Sequence, residues 1–287
     1  MLTLPEMDYD IVGSAVLFNT PREEVDRTIE QFLIMSEKNN LKTHLCLIDN
    51  SPSPVFQISP RHSAISYLFS NRNLGYGRAH NIAIRASRSR TTYNLVMNTD
   101  VTYNPDAVSR LKSTLDSDTT AGLAAPRTLY SDGHLQYVCR LLPTPRNVFL
   151  RRFLPNSNVT RKADEDYELR WWDHATAANI PFFQASFLLL RTNLCTDIGG
   201  FDERFFLYAE DIDLCRRIHE KAKTLYVPDA YVTHEYRRYN RHSLRGTLYA
   251  IHSHCQYFNK WGWLFDRSRS EINSATIKEL LTKQHIS

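Results

Sequence analysis

The first half of the sequence alternates between short apolar runs and longer amphipathic runs. Apolar residues at helical spacing (Val25, Ile29 and Phe32) follow the first apolar run, and Asn104-Pro105 marks the start of a later helix. A strand-helix-strand-helix order predicts a parallel α/β sheet with helices on both faces. The apolar runs that we predict as strands are residues 11–18, 43–49, 64–69 and 93–97.

Polar residues stand at the carboxyl ends of three of these predicted strands. Asn19 follows the first strand, Asp49 ends the second, and Asn98-Thr99-Asp100 follows the strand at residues 93–97. Parallel α/β sheets bind their ligands beyond the carboxyl ends of the strands. The three positions together therefore predict a ligand site at this edge of the sheet.

The composition is typical of a soluble globular protein from a reducing compartment. Of 287 residues, 42% are hydrophobic and 23% are charged. No apolar run approaches the roughly 18 residues that cross a bilayer, and the first ten residues lack the pattern of a signal peptide. The five cysteines are scattered without a CxxC pair, which is unlike a disulfide framework or a zinc site. These features predict a cytoplasmic location.

The basic charge of the chain is concentrated at its C-terminal end. The whole sequence has a net charge of +4, but residues 1–235 have a net charge of −2 and residues 236–287 one of +6. Such a segment suits nucleic acid, an anionic membrane surface or a phosphorylated partner. A solvated helical face explains the same charge equally well.

The second half of the sequence is less regular than the first. Near its end, Leu248, Ile251, Cys255 and Phe258 recur at helical spacing and predict one apolar helix face. A run rich in polar and charged residues lies further upstream and predicts a mobile loop. The predicted elements are strands at residues 182–190 and 225–227, the mobile loop at residues 156–170, and a helix at residues 244–260.

Three acidic residues and one histidine are candidates for chemistry. Glu210 and Asp211 open a predicted helix, where a carboxylate near a substrate hydroxyl can act as general base. The alternative is that these acids only favour the positive end of the helix. Asp100 offers the hard oxygen that Mg²⁺ or Mn²⁺ prefers, unless it belongs to a plain polar turn. His234 follows a strand, and its imidazole is either a metal ligand or a structural side chain.

A glycine-containing loop precedes the predicted helix at residues 75–87. Residues 71–81 read NRNLGYGRAHN and place two glycines, Gly75 and Gly77, where the helix begins. Backbone amides at such a position can approach a phosphate or a base. A tight turn without a ligand explains the two glycines equally well.

Three segments of the sequence together resemble the family 2 glycosyltransferases, the inverting nucleotide-sugar enzymes of the GT-A fold. The resemblance covers residues 12–232 and is strongest to bacterial rhamnosyltransferases that build surface polysaccharides. Residues 253–273 also resemble the C-terminal segment of those enzymes. The segments that carry the resemblance are residues 73–77 (NLGYG) with Asn81, residues 98–100 (NTD), and residues 199–213 (GGFDERFFLYAEDID).

This resemblance also gives a fold and a division of the chain. It implies an α/β GT-A domain, Rossmann-like and nucleotide-sugar-binding, with a mixed sheet flanked by helices. We predict this domain over residues 1–235. Residues 236–287 are predicted as a basic, aromatic-rich C-terminal helical extension.

The resemblance implies nucleotide-binding roles along the predicted ligand edge. Asp49 resembles the acid that hydrogen-bonds the nucleotide base, and Asn19 matches a position that contacts the nucleotide. The loop residues match the loop that lies beside the nucleotide in the family. The positions implied to bind the nucleotide sugar are Asn19, Asp49, Asn73, Gly75, Asn81, Asn98 and Thr99.

The resemblance also implies a metal site and a catalytic base. Asp100 matches the last acid of the DxD-like motif, which binds Mg²⁺ or Mn²⁺ and the diphosphate. His234 resembles a histidine that completes this metal site in some members. Asp211 matches the catalytic base, with Glu210 beside it. The base would take the proton of an acceptor hydroxyl as that hydroxyl attacks the anomeric carbon from the opposite face, which inverts this centre.

Three features depart from the family pattern. Asn98 stands where the first acid of the DxD-like motif is found, so a neutral ligand replaces a charged one. Ala185-Ser186 stands where many relatives have a Gly-Ala pair at the acceptor wall. The QxxRW motif of processive relatives is absent, which implies the transfer of a single sugar.

The implied reaction is a metal-dependent, inverting transfer of one sugar from a nucleotide-diphosphate donor. L-rhamnose from dTDP-rhamnose is the first choice of donor, and the acceptor is a hydroxyl of a growing bacterial surface polysaccharide or lipid-linked oligosaccharide. The alternatives are a UDP-hexose donor, or a non-catalytic nucleotide-sugar-binding module on the same fold. A nucleotidyltransferase is disfavoured because residues 18–21 lack the glycine-rich, basic loop of those enzymes.

The C-terminal segment combines basic and aromatic residues, which favour anionic interfaces. We predict peripheral contact with an anionic membrane, at the inner face of the cytoplasmic membrane, and no nucleic acid partner. Aromatic residues at this spacing are alternatively explained as the core face of a helix. The residues concerned are Arg237, Arg238, Arg241, Arg245, Tyr249, Tyr257, Phe258, Trp261 and Trp263.

Overall fold

A mixed nine-stranded β-sheet forms the centre of the structure, a computed structural model that describes residues 2–55, 63–235 and 243–284. The strands are β1 (Tyr9–Leu17), β2 (Thr43–Asp49), β3 (Ile65–Phe69), β4 (Thr91–Met97), β5 (Val101–Tyr103), β6 (Ala121–Leu129), β7 (Cys139–Arg140), β8 (Ala178–Asn179), β9 (Phe182–Phe183), β10 (Phe187–Arg191) and β11 (Lys223–His234). The helices are α1 (Arg22–Lys38), α2 (Tyr76–Ser87), α3 (Pro105–Ser117), α4 (Pro145–Phe153), α5 (Asn158–Tyr167), α6 (Thr192–Asp197), α7 (Glu210–His219), α8 (Leu244–Trp261) and α9 (Arg267–Gln284).

The central sheet has the strand order β3-β2-β1-β4-β10-β6-β11-β5, and β8 pairs with β11 outside this path. β1 runs parallel to β2 and β4, whereas β10 runs antiparallel to its neighbours β4 and β6. β7 and β9 form a separate two-stranded sheet. The predicted α/β architecture, a mixed sheet flanked by helices, is confirmed.

The register of the parallel strands brings their carboxyl ends together. Leu17 of β1 pairs with Asp49 of β2, and Ala15 of β1 pairs with Met97 of β4. Asn19 lies two residues after the end of β1, and Asn98 follows directly after β4. The polar residues that the sequence places after these strands therefore share one edge of the sheet.

Hydrophobic clusters cover both faces of the sheet. One cluster joins β1 and β4 to α1 and α3, and its members Phe32 and Leu111 are fully buried. The other joins the opposite face to α7 and the C-terminal helices, and includes Phe201 and Leu214. Val25 and Phe32, whose helical spacing predicted helix α1, are both buried.

Three predictions for the second half are wrong in detail. Residues 156–170 are not a mobile loop, because helix α5 occupies most of them. Ser157 caps this helix by accepting from the Thr160 amide at 3.0 Å, and an Arg151–Asp164 ion pair of 2.7 Å holds it to α4. The apolar run at residues 182–190 is divided into β9 and β10, and the short strand at residues 225–227 lies inside the longer β11.

Helix α8 forms where it was predicted, but its apolar face differs from the prediction. Phe258 is buried, whereas Leu248 and Ile251 are 65% and 40% exposed. Only the C-terminal half of the helix therefore packs on the core. Of the aromatic residues proposed for membrane contact, Tyr257 and Phe258 are buried and cannot meet a membrane.

The C-terminal helices contact the rest of the protein closely. Tyr257 of α8 and Leu280 of α9 belong to the same hydrophobic cluster as α7. The guanidinium of Arg216 on α7 donates to both carboxylate oxygens of Asp266, at 2.7 and 2.8 Å.

The division of the chain at residue 235 stays a prediction. Arg237, Arg238 and Arg241 lie outside the described residues.

Candidate active site

Asn19 and Asp49, which are predicted to contact the nucleotide, lie at the loops after β1 and β2, and a hydrogen bond joins these two loops. The Asn19 amide donates to the Ser51 hydroxyl at 2.8 Å, and Asn19 itself adopts a left-handed φ of 53°. The carboxylate of Asp49 is fully buried and accepts from the amides of Ser51 and Val55, each at 2.9 Å. The Tyr67 hydroxyl adds a third bond to this carboxylate. Asp49 thus holds the loop in shape and lies beside Asn19.

The glycine loop before α2 is tied to both sides of this edge. Asn73 accepts from the Gly75 amide at 2.9 Å, and the Asn50 side chain donates to the Gly75 carbonyl at 3.0 Å. Gly75 has a φ of 83°, and a Cβ there would overlap the Phe206 carbonyl oxygen. The Tyr76 amide donates to that same oxygen at 3.1 Å. Only glycine fits this close approach between the two loops.

Asn98 and Asp100 face the site, whereas Thr99 does not. The Asn98 side-chain oxygen accepts from the Tyr76 hydroxyl at 2.9 Å. The Asp100 carboxylate lies 3.2 Å from Nε2 of His234. Thr99 is buried, and its hydroxyl donates to the Glu24 carboxylate on α1. The Thr99 side chain therefore belongs to the packing beneath the strand end.

Asp100 and His234 are brought together by the antiparallel pairing of β5 with β11, in which His234 faces Val101. Nδ1 of the buried His234 lies 2.9 Å from Oε1 of Gln136, a contact that fixes the orientation of the ring. Ligand histidines in metal sites are commonly oriented in this way through their second nitrogen.

This pair fits a divalent cation that is shared with a substrate. Within the described residues, no group of three or more His, Cys, Asp or Glu side chains forms a complete metal cage. Mg²⁺ and related cations are commonly held by one or two protein groups, with phosphate oxygens and water completing the shell. Asp100 and His234 suit that partial role.

The two candidate catalytic acids open helix α7 after a strained turn. Tyr208 and Ala209 have left-handed φ values of 70° and 64°, which cost non-glycine residues of order 1–3 kcal/mol each and tend to occur at functional sites. Glu210 is 5% exposed, and its Oε2 has no hydrogen-bond partner among the described residues. The turn therefore places a buried carboxyl group, that of Glu210, directly before the partly exposed Asp211.

Burial changes the acidity of both groups. Desolvation, reinforced by the neighbouring charge of Asp211, raises the pKa of Glu210 well above its ordinary value. Burial also raises the pKa of Asp211, although amide hydrogen bonds from Ile212 and Ala185 and the positive charge of Arg140 act in the opposite direction. A carboxylate with a raised pKa is a stronger base, which suits the predicted role of Asp211.

Tyr76 was missed by the sequence analysis and connects the two halves of the site. Its hydroxyl bonds to Asn98 and to the Ala185 carbonyl. Burial, followed by the charges of Glu210, Asp211 and Asp100, raises the pKa of Tyr76 well above its ordinary value. The signal was available as a tyrosine at the first helical position after Gly75.

Asn81 acts on the loop that leads to the catalytic acids. Its side chain accepts from the Phe201 amide and donates to the Phe201 carbonyl, both at 2.8 Å, and it also donates to Glu203 at 3.1 Å. A Cβ on Gly200, whose φ is 69°, would overlap the Asn81 side chain. The amide of Asn81 is therefore engaged within the protein and fixes the course of the loop.

An arginine cluster near Asp211 was also missed. Three arginines surround the buried Glu168, with N···O distances of 3.0 Å (Arg140), 2.7 Å (Arg151) and 2.6 Å (Arg170). Burial opposes ionisation of Glu168, but Arg140 and Arg151 hold its pKa at about 2. Arg140 and Arg151 lie 28 and 17 residues before Glu168, so no local motif indicated the cluster.

The sheet, the loops at its carboxyl edge and the acids at the start of α7 define a glycosyltransferase of the GT-A fold. The sequence model of glycosyl transferase family 2 matches residues 17–187. The chain belongs to this family.

Two solved structures share the fold at low sequence identity. GalNAc-T7 with UDP, GalNAc and Mn²⁺ superposes with a TM-score of 0.52 at 13% identity, over 80% of this chain and 44% of that one. The mannosyltransferase PcManGT of Pyrobaculum calidifontis, with GDP-Man and Mn²⁺, gives 0.51 at 14% identity over 90% and 66%.

Sequence relatives include enzymes named as rhamnosyltransferases. The N-acetylglucosaminyl-diphospho-decaprenol L-rhamnosyltransferase of Mycobacterium tuberculosis is 28% identical over 245 residues, which cover 78% of this chain and 76% of the relative. The rhamnosyltransferase WbbL of Escherichia coli is 25% identical, over 74% of this chain and 75% of the relative. The predicted resemblance to rhamnosyltransferases of family 2 is thereby confirmed.

Proposed function

We propose that this glycosyltransferase moves one L-rhamnose from dTDP-rhamnose to a hydroxyl of a lipid-linked saccharide, with inversion of the anomeric centre. The carrying observation is that the Tyr76 hydroxyl bonds to the Asn98 side chain, two residues before Asp100, and to the carbonyl of Ala185, whose backbone also hydrogen-bonds Asp211. One small region thus holds a group suited to the diphosphate and a group suited to the acceptor. The names of the relatives support the choice of rhamnose and of a lipid-linked acceptor.

On the donor side, we assign Asn19, Asp49, Asn73 and Gly75 to the nucleotide and Asn98 to the sugar diphosphate. Their loops meet at one edge and are held by the bonds described above. The side chains of Asn81 and Thr99 bond to protein groups, so we assign these two residues to holding the surrounding loops in position and not to contacting the donor. The nucleotide would then lie over the ends of β1 and β2.

Asp100 and His234 would hold a Mg²⁺ or Mn²⁺ ion beside the diphosphate. When bound there, a divalent cation neutralises negative charge that develops on the leaving group. Gln136 keeps the His234 ring in place through its contact at 2.9 Å. Asp100, which directly precedes β5, would supply the carboxylate oxygen.

On the acceptor side, Asp211 acts as the general base. The acceptor oxygen forms a bond to the anomeric carbon while the bond from that carbon to the diphosphate oxygen breaks. The hydroxyl proton passes to the Asp211 carboxylate, and the diphosphate leaves with the electron pair. Burial and the adjacent charge of Asp211 raise the pKa of Glu210 well above its ordinary value, which favours the neutral form of Glu210 beside an ionised Asp211.

A donor screen tests this function. The purified protein is incubated with Mg²⁺ or Mn²⁺ and a panel of dTDP-, UDP- and GDP-sugars, and released nucleoside diphosphate is measured. We expect metal-dependent release of dTDP from dTDP-rhamnose and its loss in Asp100→Asn. Release only from a UDP-hexose would show that the donor is this sugar nucleotide and not dTDP-rhamnose. Donor binding by calorimetry without release anywhere on the panel would favour a non-catalytic nucleotide-sugar-binding module. Silence on the whole panel without donor binding would contradict the proposed reaction.

A further inference from the structure

Two helices at one side of the protein expose large apolar side chains. On α4, Phe149 and Phe153 are 56% and 52% exposed. On α8, Leu244 and Leu248 are 86% and 65% exposed, and Ile251 is also exposed. Scattered single apolar residues are normal on a protein surface, whereas grouped ones mark an interaction site.

The exposed residues are ordered along each helix. Phe149 and Phe153 are four residues apart, their rings lie 5.0 Å from each other, and Arg146 precedes them on the same face. Leu244 and Leu248 share the corresponding spacing on α8. Each helix therefore has a row of apolar side chains that is exposed to solvent.

A direct contact joins the two helices. The guanidinium of Arg152, next to Phe153, donates to the hydroxyl of Thr247, next to Leu248. The exposed apolar residues of both helices thus flank a single contact. We call Arg146, Phe149, Phe153, Leu244, Arg245 and Leu248 the α4–α8 surface.

The two helices that form this surface are basic. Helices α4 and α8 together contain five Lys or Arg residues and no Asp or Glu, and one of these, Arg151, is paired with Asp164 of α5. Arg146 and Arg245 of the surface are exposed. Apolar side chains flanked by arginines match a bilayer that carries anionic headgroups.

The surface borders the catalytic loop. The ring of Tyr249 on α8 packs 4.7 Å from that of Phe206, whose carbonyl holds the glycine loop. The Ser253 hydroxyl on the same helix donates to the Leu207 carbonyl at 2.9 Å, three residues before Glu210. A bilayer on this surface would lie close to the acids that receive the acceptor.

We propose that the α4–α8 surface docks on an anionic lipid bilayer, with the apolar side chains entering the interface and the arginines facing lipid phosphate groups. This inference concerns membrane attachment and does not rest on the proposed reaction. Its failure would leave the donor screen unaffected. The surface differs from the one that the sequence predicted, because it includes α4 and omits the buried residues Tyr257 and Phe258.

Vesicle flotation tests the proposal. The full chain is mixed with vesicles of equal parts phosphatidylcholine and phosphatidylglycerol, and in parallel with phosphatidylcholine alone. We expect binding to the mixed vesicles at low salt, and much weaker binding to phosphatidylcholine or at high salt. The double variants Phe149→Ser/Leu248→Ser and Arg146→Glu/Arg245→Glu should each weaken binding by at least about tenfold.

A matched control distinguishes this surface from general stickiness. Phe265 is 97% exposed and lies beyond the opposite end of α8, so Phe265→Ser should bind vesicles like the unchanged protein. Circular dichroism confirms that all variants are folded. Equal binding by the double variants and the unchanged protein would overturn the proposal, as would binding lost only in Phe265→Ser. A dimer that the double variants dissociate, without a change in vesicle binding, would show a self-association surface instead.

Discussion

Tyr76 is the residue whose hydroxyl group joins the metal side of the site to the base side. Tyr76→Phe removes the bonds to Asn98 and Ala185 but keeps the ring that packs on His80 and Phe201. Because Asn98 loses its fixed position while the nucleotide loop is kept, we expect kcat to fall about tenfold with donor affinity nearly unchanged, since a lost buried hydrogen bond costs about 1–3 kcal/mol. Steady-state kinetics and calorimetry with the donor measure the two effects separately.

Tyr103→Phe provides the control for Tyr76. The Tyr103 hydroxyl is buried but has no hydrogen-bond partner among the described residues. Loss of this hydroxyl should leave kcat unchanged. Equal losses of kcat in both variants would argue that Tyr76 acts only through general packing.

The loop of residues 199–208 depends on two glycines with different surroundings. Both Gly199 and Gly200 have left-handed φ values, 83° and 69°, but a Cβ on Gly199 meets open space while one on Gly200 overlaps Asn81. Gly199→Ala should cost about 1–2 kcal/mol of unfolding free energy from the backbone alone. Gly200→Ala should cost about 1–3 kcal/mol more through overpacking. Urea unfolding measures both, and equal costs would show that the Asn81 contact is unimportant.

The attachment of the C-terminal helices rests on a buried ion pair. Arg216 is 1% exposed and bonds both oxygens of Asp266. Asp266→Ala leaves this buried charge with only the longer Glu220 contact, at 3.4 Å, and should cost about 3 kcal/mol. Asp26→Ala is a matched control, because Asp26 also takes two bonds from one arginine, Arg22, but at an exposed site. Its cost should stay below about 1 kcal/mol. A small effect of Asp266→Ala on urea unfolding would mean that the C-terminal helices add little stability.

Buried histidines make the whole molecule sensitive to acid. Burial lowers the pKa of His44, His174 and His219 to about 4 and that of His80 to about 3. An unfolded histidine titrates near 6.5, so between that pH and the folded value the unfolded chain binds more protons and stability falls as pH falls. Each histidine should remove about 2 kcal/mol between pH 8 and pH 5. The raised pKa values of Glu210 and Asp211 act in the opposite sense.

Urea unfolding at pH 8 and pH 5 measures this loss. His80→Gln should reduce the difference between the two pH values by about 2 kcal/mol, whereas His252→Gln, at an exposed position, should leave it unchanged. A free energy of unfolding that is as high at pH 5 as at pH 8 would contradict the expectation.

The sequence was sufficient to predict the residues at the carboxyl edge of the sheet, but not the contacts that join them to distant segments. Asn19, Asp49 and Asp100 were found because polar residues after apolar strands are a local pattern. Contacts between distant segments leave no local pattern, which is why Tyr76 and the arginines around Glu168 were missed. The bond from Thr99 to the buried Glu24 on α1 joins two distant segments and could not be predicted from either of them.

Element types were predictable where apolar spacing was regular. The parallel strands, α2 and a strand at residues 182–190 were predicted because their patterns are local. The mixed character of the sheet, in which β10 runs antiparallel, came only from the family resemblance. Helix α5 was mistaken for a loop since ion pairs, not an apolar face, stabilise it. The outer face of α8 was mistaken for core because apolar spacing does not say whether a partner covers it.

The central claim is that Asp211 is the general base, and Asp211→Asn tests it most directly. The change keeps the size of the side chain while removing its basicity. With the donor identified by the screen and a saccharide acceptor, we predict donor affinity by calorimetry within about twofold of the unchanged protein and turnover reduced by at least about 10²-fold. Turnover near the normal value in this variant, with the donor still bound, would contradict the claim.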